Sequence, residues 1–172
     1  MPRVFVSVGS NLNPEENVTR ALRLLHEEIG VRGISTFYRT PALNRPRDPP
    51  FLNGVVEVGD ALGPFDLKKL LQHIERALGR ERADDRYAPR TVDLDLLLYG
   101  DRALSSDALV LPHPDIRERG FVAIPLLELA PDLILPDSGT ALRAVVGSLS
   151  PYSMEPLRDF TGRLQTEVAH GS

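Results

Sequence analysis

The chain has 172 residues, 42% of them hydrophobic and 26% charged, which is enough for one domain with a full-sized core. Twenty basic residues against 24 acidic ones leave a net charge of −4. That balance argues against general binding to nucleic acid or anionic membranes, so a polyanion would have to be met by a local basic patch. The absence of cysteine excludes disulfides, thiolate chemistry and cysteine-ligated zinc. The apolar run at 4–8 is too short for a signal peptide or membrane span and no later stretch qualifies, so a cytoplasmic protein is expected.

Residues 4–8 read as a first buried strand, ending in the turn cluster Gly9-Ser10-Asn11. Asn13 suits a helix N-cap, with Pro14 at the first helical position and Glu16 completing a capping-box pattern. Val18, Ala21, Leu22, Leu25 and Ile29 then recur at helical spacing until Gly30 stops the helix. Gly9-Ser10 lacks the glycine spacing and lysine of a P-loop and reads as structural. A second strand is expected at 34–38. The segment 40–50, with Pro41, Pro46, Pro49 and Pro50 beside Arg45 and Arg47, can join neither sheet nor helix and reads as a long surface loop.

Residues 51–58 form a third strand with Phe51 and Asn53 on one face. A second helix over 64–78 buries Leu67, Leu70, Leu71, Ile74 and Leu78, and Gly79 sits where a C-terminal cap belongs. Glu75 flanks that stripe and, taken alone, reads as a solvated carboxylate. Between 80 and 90 the arginines 80, 82, 86 and 90 are set against Glu81, Asp84 and Asp85 without apolar periodicity. That pattern describes a mobile charged loop, either simply solvated or, by its position beside a carboxylate pair, a phosphate clamp.

The loop feeds into Pro89-Arg90-Thr91-Val92-Asp93-Leu94-Asp95-Leu96-Leu97-Leu98-Tyr99. Strand alternation puts Val92, Leu94, Leu96 and Leu98 on one face and Thr91, Asp93, Asp95, Leu97 and Tyr99 on the other. Two carboxylates roughly 6–7 Å apart on one face of an apolar strand repel each other unless a cation lies between them. Paired oxygen ligands suit magnesium bound together with substrate phosphates, and two ions about 3.5–4 Å apart fit the same gap.

Further on, Gly100-Asp101 turns the chain into short strands near 103–104 and 109–111, and Pro112-His113-Pro114 is rigid. A helix is expected across 122–130, starting before Pro125, and another near 140–149. Residues 1–150 thus make a single domain, and 151–172, polar and weakly patterned, a loosely packed tail. The element order gives an α+β sandwich, with helices covering one face of a mainly antiparallel sheet.

Taken together, Gly9-Ser10-Asn11, Phe37-Tyr38-Arg39-Thr40-Pro41, Phe51-Leu52-Asn53, the 89–95 segment, Pro112-His113, Arg119-Gly120-Phe121 and Pro125-Leu126 resemble, in order, the 6-hydroxymethyl-7,8-dihydropterin pyrophosphokinases of folate biosynthesis. The resemblance implies a ferredoxin-like α+β fold and transfer of the β,γ-diphosphate of ATP to a pterin hydroxymethyl group, leaving AMP. It implies that Asp93 and Asp95 bind two magnesium ions, with ATP as co-substrate, and that Arg80 and Arg90 join them in catalysis. Gln72, Glu75, Arg82, Tyr87, Arg90, Leu96, His113 and Arg119 fall at ATP-site positions, which reverses the solvent-exposed reading of Glu75. Thr40, Pro41, Ala42, Leu43, Phe51, Asn53, Asp93 and Phe121 fall at pterin-site positions, with Phe51 and Phe121 stacking and Asn53 reading the ring edge.

The implied partners are ATP and the pterin alcohol, without nucleic acid or membrane, and a monomer is expected. Tyr87-Ala88 stands where the family has Trp-Gly or Tyr-Gly, so the arginine loop is expected to close differently, and Ala108, Val110 and Pro114 depart from the pattern in a way that shifts adenosine contacts toward the backbone. Two other functions fit parts of the sequence. A two-metal nucleotidyltransferase would release pyrophosphate, and a ferredoxin-like binding module would carry exposed basic and aromatic residues on its sheet.

Overall fold

The computed structural model describes residues 2–42, 47, 49–79, 91–149 and 153–170. Strand β1 (Val4–Ser10) is buried along nearly its whole length. Only a strand with neighbours on both edges and cover on both faces can be that apolar. It is flanked antiparallel by β4 (Phe51–Val58) and β5 (Asp93–Tyr99). Helix α1 (Pro14–Ile29) lies between β1 and β2 (Val31–Ile34), and α2 (Pro64–Ala77) between β4 and β5. Strand β3 (Tyr38–Thr40) continues β2 along the edge of β4. With β8 (Glu155–Pro156), the sheet order β5-β1-β4-β3-β8, with β2 also on β4, is the α+β sandwich that the pattern gave, in the ferredoxin-like form that the resemblance implied.

Helices cover both faces of the sheet rather than one. Val4, Val6, Val8, Leu52, Val56, Leu94 and Leu96 pack with α1 and α2 in one core. Phe5, Val55, Leu97 and Leu98 pack in a second, beneath α4 (Gly120–Leu129) and α5 (Leu142–Ser148). The strand alternation expected for 91–99 therefore fails at one point. Phe5 faces Leu98 while Val6 faces Leu96, so Leu97 is an extra residue and both Leu97 and Leu98 turn to the second core. Tyr99 returns to the first.

The strand expected at 34–38 is likewise two strands. Ile34 pairs with Val56 and Tyr38 with Asn53, which leaves three residues opposite two. The bulge is held by Ser35, whose amide donates to the Val55 carbonyl and whose hydroxyl accepts the Val55 amide (2.9 Å each). The capping box at Asn13 does not form. Asn13 is left-handed (φ 40°), and its backbone carbonyl, not its side chain, receives the Asn17 amide. Gly30 does end α1, with φ 80°. A one-turn helix α3 (Asp115–Glu118), absent from the sequence reading, follows the hairpin of β6 (Leu104–Ser105) and β7 (Val110–Leu111).

The C-terminal segment is not a loose tail. Residues Glu155–Pro156 form β8 on the outer edge of β3, and helix α6 (Arg158–His170) buries Phe160, Leu164 and Val168 in the first core. Its apolar residues are spaced at 160, 164 and 168, a single narrow stripe on a polar background, which supplies a core face with little overall hydrophobicity. Leu164→Ala should cost roughly 2–5 kcal/mol in chemical denaturation. A loosely packed tail would give almost no change.

Candidate active site

Among the described residues β5 is an edge strand, and several of the candidate residues gather along it. Its inner edge is hydrogen-bonded to β1. On its outer edge the Leu94 amide donates to the buried Glu75 carboxylate of α2 (2.9 Å). Three residues on, the Leu97 carbonyl accepts the His113 amide (2.9 Å). Between these two closures lies Leu96, on the stretch of β5 that borders a neighbouring cleft.

That exposed edge is one wall of a cleft of about 400 Å3. Gln72 and Glu75 of α2, Asp95 and Leu96 of β5, and His113 line it together, closed on the far side by the 106–110 hairpin turn. Lys68 of α2 donates to the Ala108 carbonyl, fastening that turn across the opening. His113 is oriented by its own loop, with Nδ1 accepting the Asp115 amide (3.1 Å), so its remaining ring nitrogen is the one left to face a ligand.

On the second-core face of the sheet lies a different surface. Register sets Asp93, Gly9, Asn53 and Tyr38 in one row across four strands, and Asp95 beside Ser7 and Val55 in the next. Gly9 leaves the row without a side chain between Asp93 and Asn53, a gap of two strand spacings or about 10 Å. A Cβ at Gly9 would lie 2.7 Å from Asn53 Oδ1, so that oxygen overhangs the bare floor. The Asn53 amide is aimed by Thr40, whose hydroxyl accepts from Nδ2 at 2.7 Å. Phe51 is half-buried on the same face, and Phe121, in the first turn of α4, packs half-buried against the second core. Tyr38 ends the row; burial pushes its phenol up, the Glu128 charge adds to this, and Arg158 opposes it.

Asp93 is half-buried and Asp95 exposed, both on this face, and Asp95 also borders the cleft. The pair stands where the floor and the cleft meet. Among the described residues no three His, Cys, Asp or Glu side chains converge as a complete metal cage. Two hard oxygen donors on an open face fit a cation that takes its other ligands from phosphate and water, as magnesium does.

Of the other expected residues, Thr40 is buried, Ala42 half-buried and Pro41 exposed where the chain leaves β3. Arg119 caps α4 through its carbonyl and does not line the cleft. Leu43, Arg80, Arg82, Tyr87 and Arg90 lie outside the described residues. Sequence reasoning missed three contributors: the Gly9 floor, the Thr40 hydroxyl and Lys68. A glycine inside an apolar strand, which marks a close approach, was the signal for the first.

A model of the 7,8-dihydro-6-hydroxymethylpterin-pyrophosphokinase family matches residues 5–131. The 2-amino-4-hydroxy-6-hydroxymethyldihydropteridine pyrophosphokinase of Pseudomonas aeruginosa is 43% identical over 138 residues, covering 78% of this chain and 85% of its own. Its counterpart from Methylorubrum extorquens is 37% identical over 158 residues, covering 90% and 98%. The Plasmodium falciparum HPPK-DHPS crystal structure with pteroate superimposes with a TM-score of 0.68 at 12% identity. It covers 85% of this chain, which spans only 42% of the Plasmodium chain; that likeness speaks for the fold alone. The class is thus a diphosphotransferase, an enzyme that moves two phosphates as a unit. The chain belongs to the 7,8-dihydro-6-hydroxymethylpterin-pyrophosphokinase family.

Two consequences of this geometry can be measured without substrate. Glu75→Ala strips the Leu94 amide of a buried acceptor and should cost roughly 1–3 kcal/mol in denaturant unfolding, with Glu75→Gln costing less. Arg117 of α3, which links His113 to Arg119, donates to Asp137 (2.7 Å) and holds its carboxyl below the ordinary range. Because the folded value is the lower one, this stabilisation is complete above the ordinary aspartate value and vanishes as the pH falls through the lowered one. The pair is over a third exposed, so Arg117→Ala should remove only about 0.2–1 kcal/mol at pH 7 and nothing at acid pH, read from unfolding curves at both.

Proposed function

We propose that the enzyme transfers the β,γ-diphosphate of ATP to the hydroxymethyl oxygen of 6-hydroxymethyl-7,8-dihydropterin, forming AMP and the pterin diphosphate. Pyrophosphokinase activity in folate biosynthesis is the property of its family. The finer reading rests on one observation: Asp93 and Asp95 stand between a cleft with an open strand edge and a flat, side-chain-free floor. Cleft and floor suit two different molecules, a nucleotide and a planar ring, whose reacting atoms would meet at the carboxylates.

The nucleotide is assigned to the cleft. The backbone of Leu96, which lines the cleft, carries one donor and one acceptor, the pairing that a purine edge presents, and His113 lines the same space. The pterin is assigned to the Gly9 floor, where Asn53 Oδ1 accepts from the amino edge of the ring and Phe51 and Phe121 supply apolar faces. Placed so, the hydroxyl oxygen attacks the β-phosphorus. The bond from that phosphorus to the α,β-bridging oxygen breaks, AMP departs with the oxygen, and the hydroxyl proton passes to a carboxylate or to water. Two magnesium ions held by Asp93 and Asp95 with phosphate oxygens would supply charge neutralisation for this exchange. The chain's own share is alignment, which is worth up to about 7–11 kcal/mol of barrier in a well-oriented pair.

Incubation with ATP, magnesium and the pterin alcohol should yield AMP in amounts equal to pterin diphosphate, and chelation should stop it. Release of free pyrophosphate, with the nucleotide transferred instead, would identify a nucleotidyltransferase and overturn the assignment. Asp93→Ala and Asp95→Ala should each lower the single-turnover rate by at least about 10²-fold through lost charge stabilisation. Full turnover in both would remove their role.

A further inference from the structure

The bulge at 35–37 leaves backbone groups that β4 cannot satisfy, and the C-terminal segment satisfies two of them. The Phe37 amide donates to Thr161 Oγ1 (2.9 Å), and the Phe37 carbonyl accepts the Leu157 amide (2.8 Å). The Phe37 ring, fully buried, meets Phe160 edge to face at 6.0 Å. On its other side the ring presses on Gly54, where an added Cβ would lie only 2.6 Å away. Gly54 adjoins Asn53, whose strand partner is Tyr38, and Tyr38 is itself held from outside by Pro156 of β8. Arg39 pairs with Glu155 at 2.8 Å in the same short strand. The next residue, Thr40, aims the Asn53 amide. All of these C-terminal contacts come from residues beyond 131, where the family model's match stops.

We infer that the C-terminal segment is the outer support of the ring-binding half of the site, with Thr161 a positioning residue that fixes Asn53 through Phe37 and the β3–β4 register. The inference rests on the assignment of the pterin to the Gly9 floor. Thr161 itself is buried on the opposite face of the sheet and touches no substrate. Its hydroxyl sets where Phe37 sits, the Phe37 ring sets the height of β4 at Gly54, and the start of β3 sets Thr40 against Asn53. Removing the hydroxyl frees the bulge to shift, and the Asn53 oxygen moves off the floor. The nucleotide cleft, built on β5, α2 and His113, shares none of these contacts. The signature of the device is therefore selective: one substrate weakens and the other does not.

The test is steady-state kinetics and fluorescence titration of the pterin alcohol on the full chain, for the native protein and Thr161→Val, Thr161→Ser and Glu155→Lys. Thr161→Val should raise KM and Kd for the pterin about 5- to 10-fold, leaving KM for ATP and kcat within two-fold, and Thr161→Ser should restore native values. Glu155→Lys sets like charges on an exposed strand pair, keeps the core intact, and should raise the pterin KM in the same selective way should Thr161→Val fail to fold. Equal losses for both substrates, or unchanged pterin affinity in folded Thr161→Val and Glu155→Lys, would overturn the inference. Native protein that neither binds nor turns over the pterin would instead overturn the functional assignment on which it rests.

Discussion

The hydrogen bond from the Leu94 amide to the buried Glu75 carboxylate anchors the outer edge of the strand that carries both aspartates. An edge strand has unpaired donors and acceptors along one side, and each must find a partner or face water. Glu75 takes one and the His113 backbone another, so β5 is pinned at two points with a gap between. The gap is what makes an edge strand useful here. Backbone groups inside a sheet are already committed, whereas Leu96 lies on the edge strand and lines the cleft, where the proposed nucleotide would meet it.

The two faces of the sheet divide the work. One is filled by α1, α2 and α6 and is a packing surface except where the cleft opens between α2 and the edge of β5. The other is filled by α4 and α5 over only part of its length, leaving the row of Asp93, Gly9 and Asn53 uncovered by the second core. Two bulges maintain that division. The extra residue at Leu97 turns two consecutive leucines under α4 without disturbing Asp93 and Asp95 upstream, and the one at 35–37 bends the opposite edge toward Thr40.

Much of this was legible in the sequence because period and function coincide there. The 51–58 strand and the 64–78 helix read correctly, since their alternation and stripe are unbroken and their ends are marked by proline and glycine. The paired aspartates were readable for the same reason. The Leu97 bulge was not, because Leu96-Leu97-Leu98 is apolar at every position and offers no alternation to lose. The break at 35–37 is set by Ser35, Thr161 and Glu128 across the fold, which no local pattern records. Glu75 looked solvated because its partner is a backbone amide nineteen residues away. The C-terminal helix was missed because three large apolar residues among thirteen are too few to stand out, although each is buried in the core.

The far side of the sheet ends on Glu155–Pro156, a strand only two residues long. A proline has no amide hydrogen to offer the next chain, and the glutamate places a charge where a hydrophobic neighbour would dock. Where it lies over β3, a core of strands rich in valine and leucine therefore meets its surroundings through a charged, proline-ended pair of residues, a poor template for another molecule to extend.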